Sequence, residues 1–134
     1  MHGILVDSNV LLDVFLDDPD WADWSEKKLD DWSQNHPLFI NAIIYTEISI
    51  GFEYIEVLES TLADCNIKML PIPKEALFLA GKAFLNYRKQ AGIKTSPLPD
   101  FYIGAQAAVL ELPVLTRDTS RYFTYFPTVE LVCP

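Results

Sequence analysis

The chain has 134 residues, half of them hydrophobic and 22% charged, which is typical of one globular domain with its own core. We therefore expect a single domain over residues 1–134. No apolar run approaches the roughly 20 residues that span a bilayer, and the first residues lack the basic start of a signal peptide. We expect a cytoplasmic protein without membrane attachment. Cys65 and Cys133 lack the spacing of zinc ligands and are predicted to be buried free thiols.

The net charge is −9, from 19 acidic and 10 basic residues, and the excess is local. Nine acids fall between Asp7 and Asp31, where Lys27 and Lys28 are the only bases. Most non-specific affinity for nucleic acid comes from neutralising phosphates, so this charge argues against tight non-specific binding. It suits a basic protein partner instead. A role on nucleic acid would depend on metal ions and on local bases.

The first half of the chain alternates short apolar runs with amphipathic stretches. We predict, in chain order, a strand at 3–7, a helix that Ser8 caps, a break at 17–20, a helix that Asp20 caps, a strand at 38–41, and helices over about 43–52 and 53–64. Trp21, Trp24 and Trp32 mark the apolar side of the second helix. We interpret these tryptophans as a protein interface, since packing explains such residues more often than base stacking does.

The second half continues the same rhythm. We predict a strand at 67–72, a long helix from 74 to about 91 that stops at Gly92, a loop over 93–99, a helix over about 100–110, and strands at 114–116 and 129–132. Alternating strands and helices are typical of βαβ units, in which helices cover both faces of a parallel sheet. The predicted fold class is therefore α/β, a three-layer α/β/α sandwich with a mainly parallel central sheet.

Four acidic residues lie at positions where this fold would bring them together. Asp7 ends the first apolar run, and Asp118 follows the run that ends at Thr116. Ligand sites in open α/β sheets form beyond the carboxyl ends of such strands. Glu47 lies in a mostly apolar helix, and Asp100 begins another. Converging carboxylates repel one another unless a hard cation neutralises them, so the pattern indicates a Mg²⁺ or Mn²⁺ site.

Each acid also has a local structural explanation. Asp7 and Asp100 are placed to cap helices, and Glu47 to form a salt bridge. Asp118 is placed for an Asx-turn that caps a short helix over 119–122. Taken singly these explanations are adequate, so the site hypothesis depends on the four acids as a set. Small residues from Gly104 onward favour close helix packing, which would hold Asp100 in a fixed position.

Several neighbours of these acids suit a phosphate substrate. Thr116, at a strand end, is placed to hydrogen-bond a carboxylate or a phosphate, and Arg117 or Arg121 to meet a substrate phosphate. His2 and His36 are badly placed to act together, so metal-independent acid–base cleavage of RNA is not favoured. The sequence has no Gly-rich phosphate loop, so it gives no support to a nucleotide cofactor.

Four short motifs carry the acids in a recognisable order. They are Val6-Asp7-Ser8-Asn9-Val10, Thr46-Glu47-Ile48-Ser49-Ile50-Gly51, Asp100-Phe101-Tyr102-Ile103-Gly104-Ala105-Gln106-Ala107 and Leu115-Thr116-Arg117-Asp118. In this order and spacing they resemble the PIN-domain ribonucleases, in particular the VapC-type toxins of bacterial and archaeal toxin–antitoxin systems. The resemblance covers nearly the whole chain.

The resemblance implies a site, an activity and partners. Its catalytic and metal-binding residues would be Asp7, Glu47, Asp100 and Asp118, supported by Asn9 and Thr116. It implies a Mg²⁺- or Mn²⁺-dependent endoribonuclease that cuts single-stranded or looped RNA, forms a homodimer and is inhibited by a cognate antitoxin. The acidic stretch up to Asp31 and the low overall charge depart from the usual picture of a nuclease.

Two alternatives stay open from sequence. One is a non-cleaving PIN-like module for binding or dimerisation, which would be expected to lack one or more of the acids. All four are present, which favours activity. The other is a housekeeping PIN nuclease without an antitoxin. A neighbouring small gene for a DNA-binding protein with a basic tail would distinguish the toxin from it.

Overall fold

The chain alternates strands and helices from its first residues to its last. The computed structural model describes residues 2–90, 93 and 98–134. Within these, the elements are β1 (Ile4–Val6), α1 (Ser8–Phe15), α2 (Ala22–Ser33), β2 (Leu38–Ile40), α3 (Ala42–Ile48), α4 (Ile55–Asp64), β3 (Ile67–Met69), α5 (Lys74–Lys89), α6 (Pro99–Leu110), β4 (Val114–Leu115), α7 (Ser120–Tyr125) and β5 (Leu131–Val132). A 3₁₀ turn at Ser49–Gly51 follows α3.

The sheet is parallel throughout, in the order β3-β2-β1-β4-β5. Strand β1 is central: Leu5 pairs with Phe39 of β2 on one side and with Val114 of β4 on the other. The three residues of β1 are fully buried, which explains why the sequence there is apolar without alternation. The predicted three-layer α/β/α fold with a parallel central sheet is confirmed.

One predicted helix cap is confirmed and three were wrong. Helix α1 is capped by Asp7, whose carboxylate accepts the backbone N–H of Ser8 at 2.8 Å. Ser8, Asp20 and Asp100 cap no helix. Helix α2 begins without a side-chain cap, and the carboxylate of Asp18 accepts the backbone N–H groups of Asp20 and Trp21 in the turn before it.

Element boundaries differ from the prediction by a few residues. Strand β4 ends at Leu115, so Thr116 lies just beyond the sheet edge. Helix α6 begins one residue earlier than predicted, at Pro99, whose missing N–H costs nothing in a first helical turn. Helix α5 ends at Lys89. Its predicted stop at Gly92, and most of the predicted loop over 93–99, lie outside the described residues.

Half of the twelve residues of helix α6 are buried. A Cβ atom at Gly104 would overlap the ring of Phe126, which is itself buried. The close packing expected around Gly104 is therefore present. In contrast, Cys65 is exposed and Cys133 is half-buried, so the prediction of two buried thiols was wrong, although both are free. Among the described residues, no helix has the length and apolarity needed to cross a membrane.

Candidate metal centre

Asp7 lies at the carboxyl end of the central strand, held by a backbone hydrogen bond from its N–H to the carbonyl of Leu115 (2.9 Å). Its side chain is only 3% exposed. Oδ1 accepts the backbone N–H of Ser8, and Oδ2 accepts the hydroxyls of Thr116 and Tyr122, both at 2.9 Å. The carboxylate is thus fixed from three directions.

Thr116 connects Asp7 to the loop that carries Asp118. Its hydroxyl donates to Asp7 and accepts from the Asn9 side-chain amide at 3.2 Å and from the Asp118 backbone N–H at 3.1 Å. Asn9 Nδ2 also lies 3.5 Å from Asp7 Oδ2. The two residues predicted to support the acids, Asn9 and Thr116, therefore both contact Asp7.

Glu47 reaches Asp7 through Ser8. The Ser8 hydroxyl donates to Glu47 Oε1 at 3.0 Å and lies 3.5 Å from Asp7 Oδ1. Burial raises the pKa of Glu47, and the charge of Asp7 adds to this, while the hydrogen bond from Ser8 lowers it. Glu47 forms no ion pair within the described residues, so the salt bridge offered as its structural alternative is absent there.

Asp100, in the first turn of α6, is the most perturbed of the half-buried acids. Burial, followed by the charges of Asp7 and Asp118, raises its pKa to about 6, and Glu47 adds a smaller effect. Arg121 opposes the shift from 3.6 Å but does not cancel it. The negative charge around Asp100 therefore exceeds what the positive charge of Arg121 neutralises.

Asp118 is the exposed member of the four. Its Oδ1 accepts the backbone N–H and the hydroxyl of Ser120, at 3.4 and 3.2 Å, where α7 begins. The Asx-turn expected as its local alternative is therefore present. Its charge nevertheless raises the pKa values of Asp7 and Asp100, which places Asp118 in the same electrostatic neighbourhood.

The four predicted acids thus share one region without forming a closed coordination sphere. No three His, Cys, Asp or Glu side chains in the described part of the chain are arranged to hold one metal ion. The donor chemistry does fit a hard cation: all four groups are carboxylates, and a divalent ion would relieve the repulsion that adds to burial in raising the pKa values of Asp7, Glu47 and Asp100. For Asp7 the largest cause is burial, which hydrogen bonds from Thr116, Tyr122 and Ser8 oppose.

Arg117 faces a different partner from the one predicted. Its guanidinium binds both oxygens of Asp13, at 2.8 and 2.9 Å, and lies over the ring of Trp21. Asp13 is 2% exposed and also accepts the hydroxyl of Ser25. This bidentate pair ties the loop after β4 to α1 and α2, while Arg121 remains the arginine that faces the acids.

The three tryptophans of α2 and its start also make internal contacts. Trp21 and Trp24 pack edge to face with ring centres 5.9 Å apart, and Trp32 lies against His36 at 4.6 Å. All three are partly buried. The interpretation of these residues as a protein interface therefore gains no support from the structure.

A buried amide pair fixes the two helices that carry Glu47 and Asp100. Asn41 caps α3 by accepting the backbone N–H of Ile44, and its amide donates to Gln106 of α6 at 2.8 Å. Gln106 in turn donates to the carbonyl of Pro71. Both amides are fully buried, so their hydrogen bonds set the distance between α3 and α6.

Sequence reasoning missed two residues that contact Asp7. Ser8 was assigned to a helix cap and links Asp7 to Glu47 instead. Tyr122 was grouped with aromatic residues that pack, yet its hydroxyl reaches Asp7. Burial and the surrounding carboxylates raise the pKa of Tyr122 well above its usual range. The sequence signal for this contact was that Tyr122 lies four residues after Asp118, in a predicted short helix.

Comparison with known proteins identifies the family. The PIN-domain family model matches residues 4–125, and this chain belongs to that family. A comparison with curated protein sequences found no match.

Chains in several solved structures share the fold. VapBC2 from Rickettsia felis, bound to a DNA fragment from its promoter, contains a chain with a TM-score of 0.74 and 16% identity, with 98% of each chain covered. FitAcB from Neisseria gonorrhoeae gives 0.67 and 24% identity, covering 96% of this chain and 95% of that one. A toxin–antitoxin complex from Klebsiella pneumoniae gives 0.67 and 23%, covering 97% and 96%.

Proposed function

We propose that this protein is a metal-dependent endoribonuclease that hydrolyses phosphodiester bonds in single-stranded or looped RNA. The observation that carries the proposal is the set of four carboxylates around Asp7, whose negative charge Arg121 does not fully neutralise. Asp7 is buried, Asp100 is half-buried, and both have raised pKa values. Acids with perturbed pKa values cluster at functional sites, and ligand sites form at the carboxyl ends of parallel strands.

The residues that would hold Mg²⁺ or Mn²⁺ are Asp7, Glu47, Asp100 and Asp118. When bound, the ion supplies Lewis-acid polarisation of a phosphate and a more acidic water molecule. Glu47, half-buried and with a raised pKa, is placed to orient that water or accept its proton. Arg121, 3.6 Å from Asp100, is the side chain we assign to a substrate phosphate, since Arg117 is bound to Asp13.

The backbone at the start of α1 holds Asp7 in place. Its carboxylate accepts the N–H of Ser8 at 2.8 Å and its carbonyl accepts the N–H of Val10 at 3.2 Å. These N–H groups are already bonded to Asp7, so we do not assign them to a substrate phosphate.

We propose further that the protein is the toxin of a toxin–antitoxin pair, acting as a homodimer. The support is the family membership together with full-length fold similarity to chains of toxin–antitoxin complexes. The acidity of the chain supports a basic protein partner: one exposed side of α2 carries Asp23, Glu26, Asp30 and Asp31, with Lys27 paired to Asp31 as the one base of this surface. A cytoplasmic location follows from this role and stays part of the proposal.

The nuclease is tested by incubating the purified protein with an RNA pool in Mg²⁺, in Mn²⁺ and in EDTA. We expect cleavage only with metal. Asp7→Asn should reduce the rate by at least about 100-fold, because it removes the central carboxylate of the site. Asp23→Asn is the matched control, since Asp23 is exposed on α2, and it should cut like the wild type. Folded protein that cuts no RNA under any condition would favour the non-cleaving module.

The toxin is tested in cells. Expression of the wild-type chain should arrest bacterial growth, and expression of Asp7→Asn should not, since arrest by an RNA-cleaving toxin requires the metal centre. Co-expression of the gene adjacent to this one should restore growth and yield a complex that co-purifies at fixed stoichiometry. Cleavage in vitro without growth arrest in cells would indicate the housekeeping nuclease.

A further inference from the structure

Tyr122 is the largest fully buried side chain in the described part of the molecule, and its hydroxyl group contacts a carboxylate. It is 1% exposed, and its hydroxyl donates to Asp7 Oδ2 at 2.9 Å. The two residues are 115 positions apart in sequence. The hydrogen bond therefore joins the start of α1 to α7, across the region that contains the four acids.

The hydrogen bonds of Asp7 are divided unequally between its two oxygens. Oδ2 accepts two short bonds, from Thr116 and Tyr122, and is approached by Asn9 at 3.5 Å. Oδ1 accepts one short bond, from the Ser8 backbone N–H, with the Ser8 hydroxyl at 3.5 Å. A carboxylate oxygen has two lone pairs, so Oδ1 keeps one of them largely free while Oδ2 has neither.

We propose that Tyr122 is a positioning residue of the metal centre: with Thr116, it occupies Oδ2 of Asp7 and so leaves Oδ1 as the oxygen available to a divalent cation. This inference rests on the proposed function, because it assigns a role within the same site. Hydrogen bonds to metal-binding carboxylates typically change metal affinity or activity by roughly 10–100-fold when they are removed. The aromatic ring supplies packing and the hydroxyl supplies the orientation, so the two contributions are separable.

The test is the affinity of the full chain for Mn²⁺, measured from the free-ion EPR signal. Tyr122→Phe removes only the hydroxyl, and we expect a dissociation constant at least about 10-fold higher than that of the wild type. Tyr125→Phe is the matched control. Tyr125 lies in the same helix, and its hydroxyl binds Gln90 at 3.2 Å on the exposed surface, so its loss should change the affinity by less than about 2-fold.

A second readout separates positioning from general loss of structure. The rate of RNA cleavage as a function of Mn²⁺ concentration should shift to higher metal in Tyr122→Phe and recover most of the wild-type rate at saturation. A variant that is merely misfolded would lose rate at every concentration. If Tyr122→Phe does not fold, ¹³Cζ NMR of the wild type replaces it: added Mg²⁺ should shift the Tyr122 signal and leave that of Tyr125 in place.

The outcomes distinguish this inference from the proposed function. A wild-type chain that binds no Mn²⁺ overturns the metal centre and the role of Tyr122 with it. A wild-type chain that binds Mn²⁺, with folded Tyr122→Phe binding equally well or a Tyr122 signal that ignores Mg²⁺, overturns the role of Tyr122 alone. Equal losses in Tyr122→Phe and Tyr125→Phe would overturn it as well.

Discussion

Asp100 is a single side chain whose ionisation opposes folding. Its pKa of about 6 comes mainly from burial and from the charges of Asp7 and Asp118, against which Arg121 is insufficient. A carboxyl group that is harder to ionise in the folded state than in the unfolded state destabilises the fold at neutral pH. A bound divalent cation would remove that cost, so we interpret it as a property of the metal-free protein.

Asp100→Asn should therefore stabilise the metal-free protein at neutral pH. Between about pH 4, where an unfolded aspartate titrates, and about pH 6, the folded state keeps a proton that the unfolded state has lost. The stability of the wild type thus falls more steeply with rising pH through this window than that of the variant, in which Asp7 and Glu47 still have raised pKa values. At neutral pH the variant should be more stable by about 3 kcal/mol, measured by urea unfolding in EDTA, and equal at the acidic end of the window.

Two comparisons test the cause of that difference. Asp20→Asn, an exposed aspartate in the turn before α2, should follow the wild-type curve at every pH. Added Mn²⁺ should stabilise the wild type more than Asp100→Asn, because a ligand stabilises only the state that binds it. If the stability of the wild type and of Asp100→Asn changed equally with pH, the raised pKa of Asp100 would not be the cause of the pH dependence.

At the scale of elements, α6 and α5 use glycine in opposite ways. Gly104 lies where α6 meets Phe126, and a Cβ atom there would overlap the ring. Gly81 lies on the exposed side of α5, where a Cβ atom would have no other group within 4 Å. Both helices would gain from alanine in intrinsic propensity, so the difference between the two sites measures packing alone.

Gly104→Ala should destabilise the protein by about 2 kcal/mol, because overpacking of a buried contact outweighs the gain in helix propensity. Gly81→Ala should stabilise it by about 0.5–1 kcal/mol. Thermal and urea unfolding of the two variants in EDTA give both values. If Gly104→Ala proved as stable as Gly81→Ala, the contact between α6 and Phe126 would not be tightly packed.

Element types were predictable from sequence because hydrophobic patterns are local. The apolar run of β1 and the amphipathic stretch of α5 identify themselves without knowledge of their neighbours. Helix caps were less predictable: Asp7 caps α1 in place of Ser8, and α2 has no side-chain cap although Asp20 lies close before its first turn. The turn geometry decides which polar side chain reaches the first N–H groups of a helix, and composition does not specify that geometry.

The proximity of the four acids was predictable from sequence, and their individual contacts were not. The order of Asp7, Glu47, Asp100 and Asp118 along the chain sufficed to nominate them, and the structure places all four in one electrostatic neighbourhood. The pairing of Arg117 with Asp13 depends on the tertiary path of the loop after β4. No sequence pattern favours Asp13 over the other acids of its stretch.

At the scale of the whole molecule, the acidic and basic residues are unevenly distributed along the chain. The excess of acids lies between Asp7 and Asp31, and the exposed ones on α2 suit a basic partner. The arginine beside the candidate site, Arg121, lies outside that stretch. Under the proposed function, the exposed acids of α2 would contact an inhibitory protein, and Arg121 would contact RNA.

The central claim is that a divalent cation binds at the four acids and not on the acidic surface of α2. Anomalous diffraction from crystals soaked in Mn²⁺ tests it most directly. We expect a peak at a coordination distance of about 2.2 Å from carboxylate oxygens of Asp7 and Asp100. A peak confined to Asp23, Glu26 or Asp30, or no peak at saturating Mn²⁺, would contradict it.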